Sequence, residues 1–278
     1  MFNKIYYVYH SCFIVELDSC YMMFDYFKHY DFKEEYDFNF DNLIKTILES
    51  NKQFYIFASH SHGDHFNKKI FEYDSHNTHY VFSDDIILEK ASSNIYFISS
   101  DKTLKLGEII INTFPSTDLG VSFMIDIENV VIFHAGDLNW WAWSDDTKEE
   151  AEYMENLYKS AVDQIKKTNK SIDIAFFPVD KRLEENYSMG GKYFIEQIKP
   201  KIFIPMHFSD EAHTAELFYQ ENQYKYLETK IIKITNANNI VTKSECSIHS
   251  MEELYRFFMW TQFTFYRRIS PQWNKKII

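Results

Sequence analysis

A short polar segment that directly follows an apolar run constrains this chain more than any other feature. The run FYIFA (54–58) is rich in aromatic and branched side chains, which suit a buried strand. The segment SHSHGDH (59–65) follows it at once and places three histidines and one aspartate within positions 60–65. Imidazole and carboxylate groups therefore collect at the end of a buried strand, which predicts a metal site there.

The spacing inside this segment suits two ions. His60 and His62 are two positions apart, so both imidazoles can point to one side and share a cation. Asp64 and His65 follow the flexible Gly63 and can bind a second cation. The alternative is a chance surface cluster in a chain with 11 histidines. A solvated loop, however, needs no imidazole and carboxylate groups at ligand spacing, so we favour the metal site.

Length and composition predict one large domain. The chain has 278 residues, of which 45% are hydrophobic and 25% charged, and no linker rich in proline, glycine or serine divides it. We expect this domain to span residues 1–245. An aromatic-rich extension over 246–278 is expected to pack on the domain or on a partner subunit, and the second arrangement would make the protein a homo-oligomer.

The charge and the cysteine content restrict which classes of partner and which cellular compartment we expect. A formal net charge of -12 without a long basic stripe counts against nucleic-acid partners. The apolar stretch 5–24 is interrupted by Glu16 and Asp18, so we interpret it as neither a signal peptide nor a membrane span. The cysteines, Cys12, Cys20 and Cys246, are odd in number and form no C-x-x-C pair. We therefore expect a reduced, cytoplasmic protein without a disulfide framework.

Strands dominate the first half of the predicted secondary structure. Branched and aromatic runs separated by turn residues predict strands at 5–17, 20–25, 79–83, 95–98, 108–114, 121–127 and 129–134.

Helices and strands alternate in the second half. Apolar residues three and four apart predict an amphipathic helix over 151–165, with acidic residues at its start and lysines at its end. Further helices are expected at 66–73, from 190 to before Pro200, and at 211–221, with strands at 172–177 and 202–206. This order predicts an α/β or α+β fold in which helices cover sheets.

The pattern H-x-H-x-D-H at 60–65 resembles, at every motif position, the signature of the metallo-β-lactamase superfamily. The resemblance implies an α+β fold, the four-layer αβ/βα sandwich. Two sheets lie face to face in this fold, with helices outside and the metals at one edge where loops meet. It also implies a metal-dependent hydrolase.

The same resemblance implies the remaining ligands. Asp137 ends the segment VVIFHAGD and corresponds to the carboxylate that bridges two metals, and His207 in IPMHF corresponds to the last histidine ligand. Asp118 stands where most relatives supply a third histidine to the first ion. The implied ligands are His60, His62, Asp64, His65, Asp118, Asp137 and His207. They would hold two divalent ions, zinc, manganese or iron, or a single ion if the first site is weak.

Three further residues are expected near the ligands without binding metal. Asp25, at the end of its strand, is expected to orient a ligand histidine or the histidine loop through hydrogen bonds. His10 and His134 lie on strands that run toward the same edge, but neither has ligand spacing, so we expect them to support the ligands.

Two tryptophans and an arginine are candidates for substrate binding. Trp140 and Trp143 follow the bridging aspartate and could line a pocket, although packing in the core would also explain tryptophans at these positions. Arg182 follows a strand end and could bind a carboxylate or phosphate of a substrate. Alternatively, it could simply form an ion pair with Glu184 or Glu185.

The segments PSTDLGVSF, FHAGDLNWWAW, FPVDKR and PMHF look most similar to the group related to L-ascorbate-6-phosphate lactonase. This resemblance implies a hydrolase of a small, anionic ester or lactone that acts through a metal-bound hydroxide. Asp64 would hold the hydroxide and carry a proton. A metal-dependent phosphodiesterase or nuclease would use the same ligands. A di-iron oxidoreductase would usually have glutamate within the histidine motif, and a sensor with a degenerate first site would be non-catalytic.

Overall fold

The computed structural model describes residues 2–27, 40–234 and 240–242 and contains two seven-stranded sheets. The first sheet contains β1 (Lys4–Tyr9), β2 (Cys12–Glu16), β3 (Cys20–Phe24), β4 (Gln53–Ala58), β5 (Thr78–Ser83) and β6 (Ile95–Ile98) in that spatial order. The second contains β7 (Thr103–Leu106), β8 (Ile109–Pro115), β9 (Val121–Ile127), β10 (Val130–His134), β11 (Ile174–Pro178), β12 (Ile202–Met206) and β13 (Lys230–Ile231). Strand β14 (Ile240–Thr242) joins the first sheet beside β1.

Four α-helices accompany the sheets in the described part of the chain: α1 (Phe40–Glu49), α2 (Lys148–Lys167), α3 (Met189–Ile198) and α4 (Ala212–Asn222). The same described part of the chain also contains two short 3-10 helices, Lys68–Tyr73 and Lys181–Asn186. Helix α2 is the predicted amphipathic helix. It begins with a reciprocal capping box between Thr147 and Glu150 and ends on Lys166 and Lys167, where positive charge complements the helix dipole.

The layers follow the predicted αβ/βα order. Aromatic side chains on the facing sides of the two sheets interlock, with Phe57 of β4 and Phe123 of β9 5.3 Å apart between ring centroids. Helix α1 buries Phe40 and Ile44 on the outer side of the first sheet. Helices α2, α3 and α4 contact strands of the second sheet. The expected four-layer α+β sandwich is therefore confirmed.

Parallel strand pairs explain why the polar loops meet at one edge. In the first sheet β3 pairs in parallel with β4, and in the second β10, β11 and β12 are mutually parallel. The carboxyl ends of parallel neighbours reach the same edge of a sheet, so the segments after these strands lie together. Those segments carry Asp25, the histidine loop, Asp137 and His207.

The structure divides one predicted strand and adds elements that the sequence pattern did not indicate. The expected strand 5–17 is two strands, β1 and β2, because His10 adopts a left-handed conformation with φ 54° and reverses the chain. Helix α1 and strand β7 were not predicted. The proposed extension 246–278 lies outside the described residues. None of the described helices is both long and apolar enough to cross a membrane.

Candidate metal centre

Ser59 anchors the histidine loop to the end of β3. Its backbone N–H donates to Oδ1 of Asp25 at 2.7 Å, and its hydroxyl lies 2.7 Å from Oδ2 of the same carboxylate. Two glycines close over it: a Cβ on Gly120 would lie 2.0 Å from the Ser59 carbonyl oxygen, and one on Gly136 would lie 2.7 Å from the Ser59 Cβ. Both glycines have positive φ, so sterics and backbone conformation together hold the loop.

One group of candidate ligands, called the first cluster here, consists of His60, His62, Asp118 and Asp137. One potential ligand atom from each of these residues lies within 4.8 Å of every other. Nε2 of His60 is 3.0 Å from Nδ1 of His62, which is 3.7 Å from Oδ2 of Asp118. Asp118 thus lies beside the paired histidines.

A second group, called the second cluster, consists of His10, Asp64, His65 and His207, whose potential ligand atoms also lie within 4.8 Å of one another. Asp137 adjoins this group as well. Its Oδ1 lies 3.1 Å from Nε2 of His65 and 3.2 Å from Nε2 of His207, while its Oδ2 faces Nε2 of His60 at 3.6 Å. Asp137 therefore offers one oxygen to each cluster, as a bridging carboxylate would.

Unsatisfied buried atoms mark the centre as fit for a cation. Within the described residues, Nε2 of His10, Nε2 of His65 and Oδ1 of Asp137 are buried and make no well-aligned hydrogen bond, although the last two atoms lie 3.1 Å apart. Buried polar groups are nearly always paired, so three unpaired lone-pair donors facing one point require an explanation. A divalent ion bound there would satisfy all three at once, and the donor set suits zinc, manganese or iron.

Hydrogen bonds from behind fix the orientation of the buried imidazoles. Nδ1 of His65 lies 2.7 Å from Asp25 and Nδ1 of His207 lies 2.9 Å from Asp180, so each ring turns Nε2 inward. Nδ1 of His60 lies 2.9 Å from the Ser59 hydroxyl. A histidine ligand that donates its outer N–H to a carboxylate is a more basic and better oriented ligand.

Burial and carboxylates act in opposite directions on the two inner histidines. Burial by itself lowers the pKa of His207, but Asp137 and Asp180 outweigh it and raise that pKa to about 9. Asp137 and Asp25 likewise raise the pKa of His65 well above its usual value despite burial. In His10, burial dominates and lowers the pKa to about 4. The carboxylates around His65 and His207 therefore favour positive charge at this position, whether it is a proton or a bound cation.

The centre opens to solvent on one side. The side chains of His62, Asp64 and Asp118 are 45%, 43% and 41% exposed. The other members of the two clusters are buried. A substrate would therefore approach over these three exposed residues.

The residues expected to support the ligands lie where they can do so. Asp25 is completely buried and contacts His65 directly. The ring of His134 stacks on Phe24 with its Nδ1 3.8 Å from Asp25. The backbone N–H of Gly136 donates to that Nδ1, so His134 also fixes the turn before Asp137. His10, by contrast, reaches the second cluster itself, which the sequence pattern did not indicate.

Trp140 and Trp143, which were both predicted as candidates for substrate binding, lie in different surroundings. Trp140 packs against Tyr158 of α2 and Tyr193 of α3 with Lys159 over its ring, a helix-packing role. The ring beside His207 is that of Trp141, at 5.4 Å between centroids, and Trp143 stacks on Trp141 at 6.3 Å. The loop 138–146 has no regular period, so the sequence could not show which of its tryptophans turns inward.

Arg182 pairs with Asp180 instead of Glu184 or Glu185. Its Nε lies 3.0 and 2.9 Å from the two Asp180 oxygens, and its guanidinium lies 6.0 Å from the centre of the Trp143 ring. The side chain remains 63% exposed. Asp180, which holds both Arg182 and His207, had no assigned role in the sequence analysis. Its position just after a strand, like that of Asp25, was the signal that could have found it.

Fold and site together define a protein of the metallo-β-lactamase class. The family described as β-lactamase superfamily domain matches residues 4–207, and the chain belongs to this family. Among curated proteins, none matches this chain.

Several solved structures share the fold at low sequence identity. Igni18, a metallo hydrolase from Ignicoccus hospitalis, is 14% identical with a TM-score of 0.60, over 87% of this chain and 98% of that one. CmlA, a diiron β-hydroxylase from Streptomyces venezuelae, is 11% identical with a TM-score of 0.56, over 86% of this chain and 54% of that one. A putative metal-dependent hydrolase from Parabacteroides distasonis is 16% identical with a TM-score of 0.52, over 83% and 92%.

Proposed function

We propose that this protein is a metal-dependent hydrolase that uses two divalent ions and acts on a small, anionic ester or lactone. The observation that carries the proposal is the position of Asp137, which presents Oδ1 to the second cluster and Oδ2 to the first. A carboxylate shared in this way is what a two-ion centre requires.

Bound divalent ions would lower the pKa of water at the centre and stabilise negative charge on a substrate oxygen. The protein contributes position and proton transfer. Asp64 is the half-exposed carboxylate at the opening, and its Oδ2 faces Nε2 of His10 at 3.5 Å. Contacts with nearby histidines lower the pKa of Asp64 despite its partial burial, so it is ionised at neutral pH and can accept a proton. We assign it the task of passing that proton to the leaving group.

Two exposed side chains close to the second cluster support an anionic substrate, because Trp143 stacks on Trp141, which lies beside His207. Arg182 is held by Asp180 yet remains largely exposed, and its guanidinium lies over Trp143, which is 39% exposed. A guanidinium beside an exposed aromatic ring can bind a carboxylate or phosphate while the ring covers an apolar part of the substrate. The preference for a lactone comes from the resemblance to the L-ascorbate-6-phosphate lactonase group. The net charge of -12 continues to disfavour long nucleic acids.

We also propose a cytoplasmic setting and a single catalytic domain for this protein. Cys12 and Cys20 are free, buried thiols, which supports a reduced, cytoplasmic environment. We retain a single catalytic domain over 1–245 with 246–278 as an extension.

Metal analysis with a substrate panel tests the function. Purified protein would be loaded separately with zinc, manganese and iron(II), and its metal content measured by mass spectrometry. Each form would then be assayed with lactones, carboxylic esters, thioesters and phosphodiesters. We expect two ions per chain and turnover of an anionic lactone or ester that chelation removes.

Asp137→Asn and Asp126→Asn form a matched pair for this experiment. Asp126 pairs with Lys170 at 2.8 Å outside the centre, so its variant should keep full activity, whereas Asp137→Asn should lose it. Equal activity of the two variants would refute the two-ion mechanism. Turnover of phosphodiesters alone would replace the proposed substrate class, and full metal loading with no turnover would favour the sensor.

A further inference from the structure

A turn and two backbone hydrogen bonds hold His10 in place. It occupies the turn between β1 and β2 with φ 54°, a conformation that non-glycine residues rarely adopt. Its N–H donates to the Tyr7 hydroxyl at 3.0 Å, and its carbonyl accepts the N–H of His207 at 3.1 Å. The latter bond ties His10 directly to a candidate ligand on the opposite sheet.

The ring of His10 is arranged like those of the inner histidines. Its Nδ1 lies 2.9 Å from the hydroxyl of Ser209, as Nδ1 of His65 lies against Asp25 and that of His207 against Asp180. Its Nε2 is buried, unpaired and directed at the second cluster. The centroids of the His10 and His207 rings are 4.1 Å apart.

We propose that His10 is a metal ligand, which gives the second ion five donors from the protein: His10, Asp64, His65, His207 and Asp137. The proposal rests on the metal centre of the proposed function and adds a ligand to it. Zinc usually takes four ligands in proteins, with at most three or four from the chain. Five protein donors of mixed nitrogen and oxygen type therefore favour an ion that accepts more ligands, such as manganese(II) or iron(II).

The competing role for His10 is that of a hydrogen-bond donor to Asp64, whose Oδ2 is 3.5 Å from Nε2. The two roles require opposite tautomers. A ligand carries its proton on Nδ1 and donates it to Ser209, whereas a donor to Asp64 carries the proton on Nε2. At 3.5 Å the contact with Asp64 is too long for a good hydrogen bond between these atoms, which favours the ligand.

Proton NMR of the cobalt(II)-loaded, full-length protein distinguishes the two tautomers. The ring N–H proton of a coordinated histidine shifts far outside the diamagnetic range. We expect one such signal to disappear in His10→Asn and to persist in His79→Asn. Asparagine tolerates the positive φ at position 10, which limits damage to the turn. His79 lies on β5 away from both clusters, where it bonds to Gln53, and serves as the control.

Ser209→Ala provides a second test that leaves the imidazole in place. It should move the same signal, because Ser209 contacts Nδ1 of His10. In a metal titration, His10→Asn should lower the affinity for the second ion by more than about 100-fold. Residues that only orient a ligand have a smaller effect on affinity, roughly 10- to 100-fold. When manganese(II) and zinc compete for the second site of this variant, its preference should also shift toward zinc.

The outcomes separate this inference from the proposed function. Two bound ions with the same shifted signals in wild type and His10→Asn would overturn the role of His10 and leave the hydrolase proposal intact. Failure of the wild-type protein to bind cobalt(II), manganese(II) or zinc would overturn the metal centre itself. If His10→Asn does not fold, the response of the wild-type signal to Ser209→Ala decides: an unmoved set of signals contradicts coordination by His10.

Discussion

Oδ2 of Asp25 lies 2.7 Å from Nδ1 of His65, and Oδ1 of the same carboxylate accepts the N–H of Ser59 at 2.7 Å. One fully buried carboxylate therefore orients a candidate ligand and fixes the start of the histidine loop. Its negative charge is stabilised by His134 and His65, which keep its pKa below the usual value although burial opposes this. This one carboxylate thus holds the floor of the centre in place.

Replacing Asp25 should weaken metal binding without touching the ions. Asp25→Asn places an amide where both neighbours donate hydrogen bonds, so the His65 ring loses its fixed tautomer. We expect metal affinity to fall about 10- to 100-fold. The free energy of unfolding should fall by roughly 1 to 3 kcal/mol, because buried donors lose a charged acceptor. Metal titration and urea denaturation of the metal-free protein measure the two effects.

Asp173→Asn is the control for this substitution. Asp173 also accepts a backbone N–H, that of Val131 at 2.8 Å, and pairs with Lys201, but it lies outside both clusters. It should lower stability and leave metal affinity unchanged. A parallel loss of metal affinity in both variants would show that general destabilisation, and not ligand orientation, is responsible.

Asp118 is expected to hold the first ion specifically. Asp118→Ala removes an exposed carboxylate 3.7 Å from His62, so the first ion should be lost while the second remains. Asp118→His replaces a hard oxygen donor with nitrogen and should restore the ion with a preference shifted toward zinc. Mass spectrometry of the three proteins gives the stoichiometry. If Asp118→Ala still holds two ions as tightly as wild type, Asp118 is not a ligand.

The sequence was most informative where the relevant residues are contiguous. The loop 60–65 and the strand before it were predicted together, because ligand spacing and an apolar run are local patterns. Asp137 and His207 came from the family resemblance, and the parallel strands explain why such distant positions meet. The ring of His10 could not be predicted to point inward, since this follows from a left-handed turn that no local pattern encodes.

Side-chain direction in irregular segments was equally hard to predict. Trp140 and Trp143 were both predicted as candidates for substrate binding, yet Trp140 packs between α2 and α3 while Trp141 lies beside His207. Arg182 pairs with Asp180 instead of a glutamate at the start of the short 3-10 helix after β11, a segment in which Glu184 has a positive φ of 53°. Backbone turns of this kind depend on tertiary packing, which periodicity does not report.

Arg182 should act on substrate binding more than on turnover. Arg182→Gln removes the positive charge beside Trp143. We expect KM for an anionic substrate to rise at least about tenfold, as the loss of a charge-assisted pair of roughly 1.5 to 3 kcal/mol implies. A neutral analogue should be affected much less. Because Asp180 also holds His207, metal content must be shown to be unchanged.

Lys181→Gln is the matched control for Arg182→Gln. Lys181 is the adjacent cation, but its Nζ lies over the ring of Tyr187 at 4.8 Å. Its removal changes the net charge by the same amount. An equal rise in KM in both variants would mean that general electrostatics, and not Arg182 itself, binds the anion.

The buried thiols should be inert in the folded protein. Burial raises the pKa of Cys20 to about 12 and that of Cys12 further, so neither forms the reactive thiolate near neutral pH. Alkylation with iodoacetamide at pH 8, followed by peptide mass mapping, should leave both unmodified until denaturant is added. Rapid modification of Cys12 in native protein would contradict its position in the core.

Gly136 is the position where a single added methyl group should damage the centre. A Cβ there would lie 2.7 Å from Cβ and 2.8 Å from Oγ of Ser59, and φ is +54°. Gly136→Ala should therefore cost roughly 2 to 4 kcal/mol of unfolding free energy, from backbone strain and overlap together, and should weaken metal binding by displacing Ser59 and Asp137.

Gly107→Ala separates the two causes, because Gly107 has φ +61° with no atom within 4 Å of a Cβ. That variant should lose only about 1 to 2 kcal/mol and keep full metal affinity. Urea denaturation and metal titration of both variants provide the comparison. Equal losses at the two positions would show that backbone strain alone matters and that Ser59 is not clamped by the glycine.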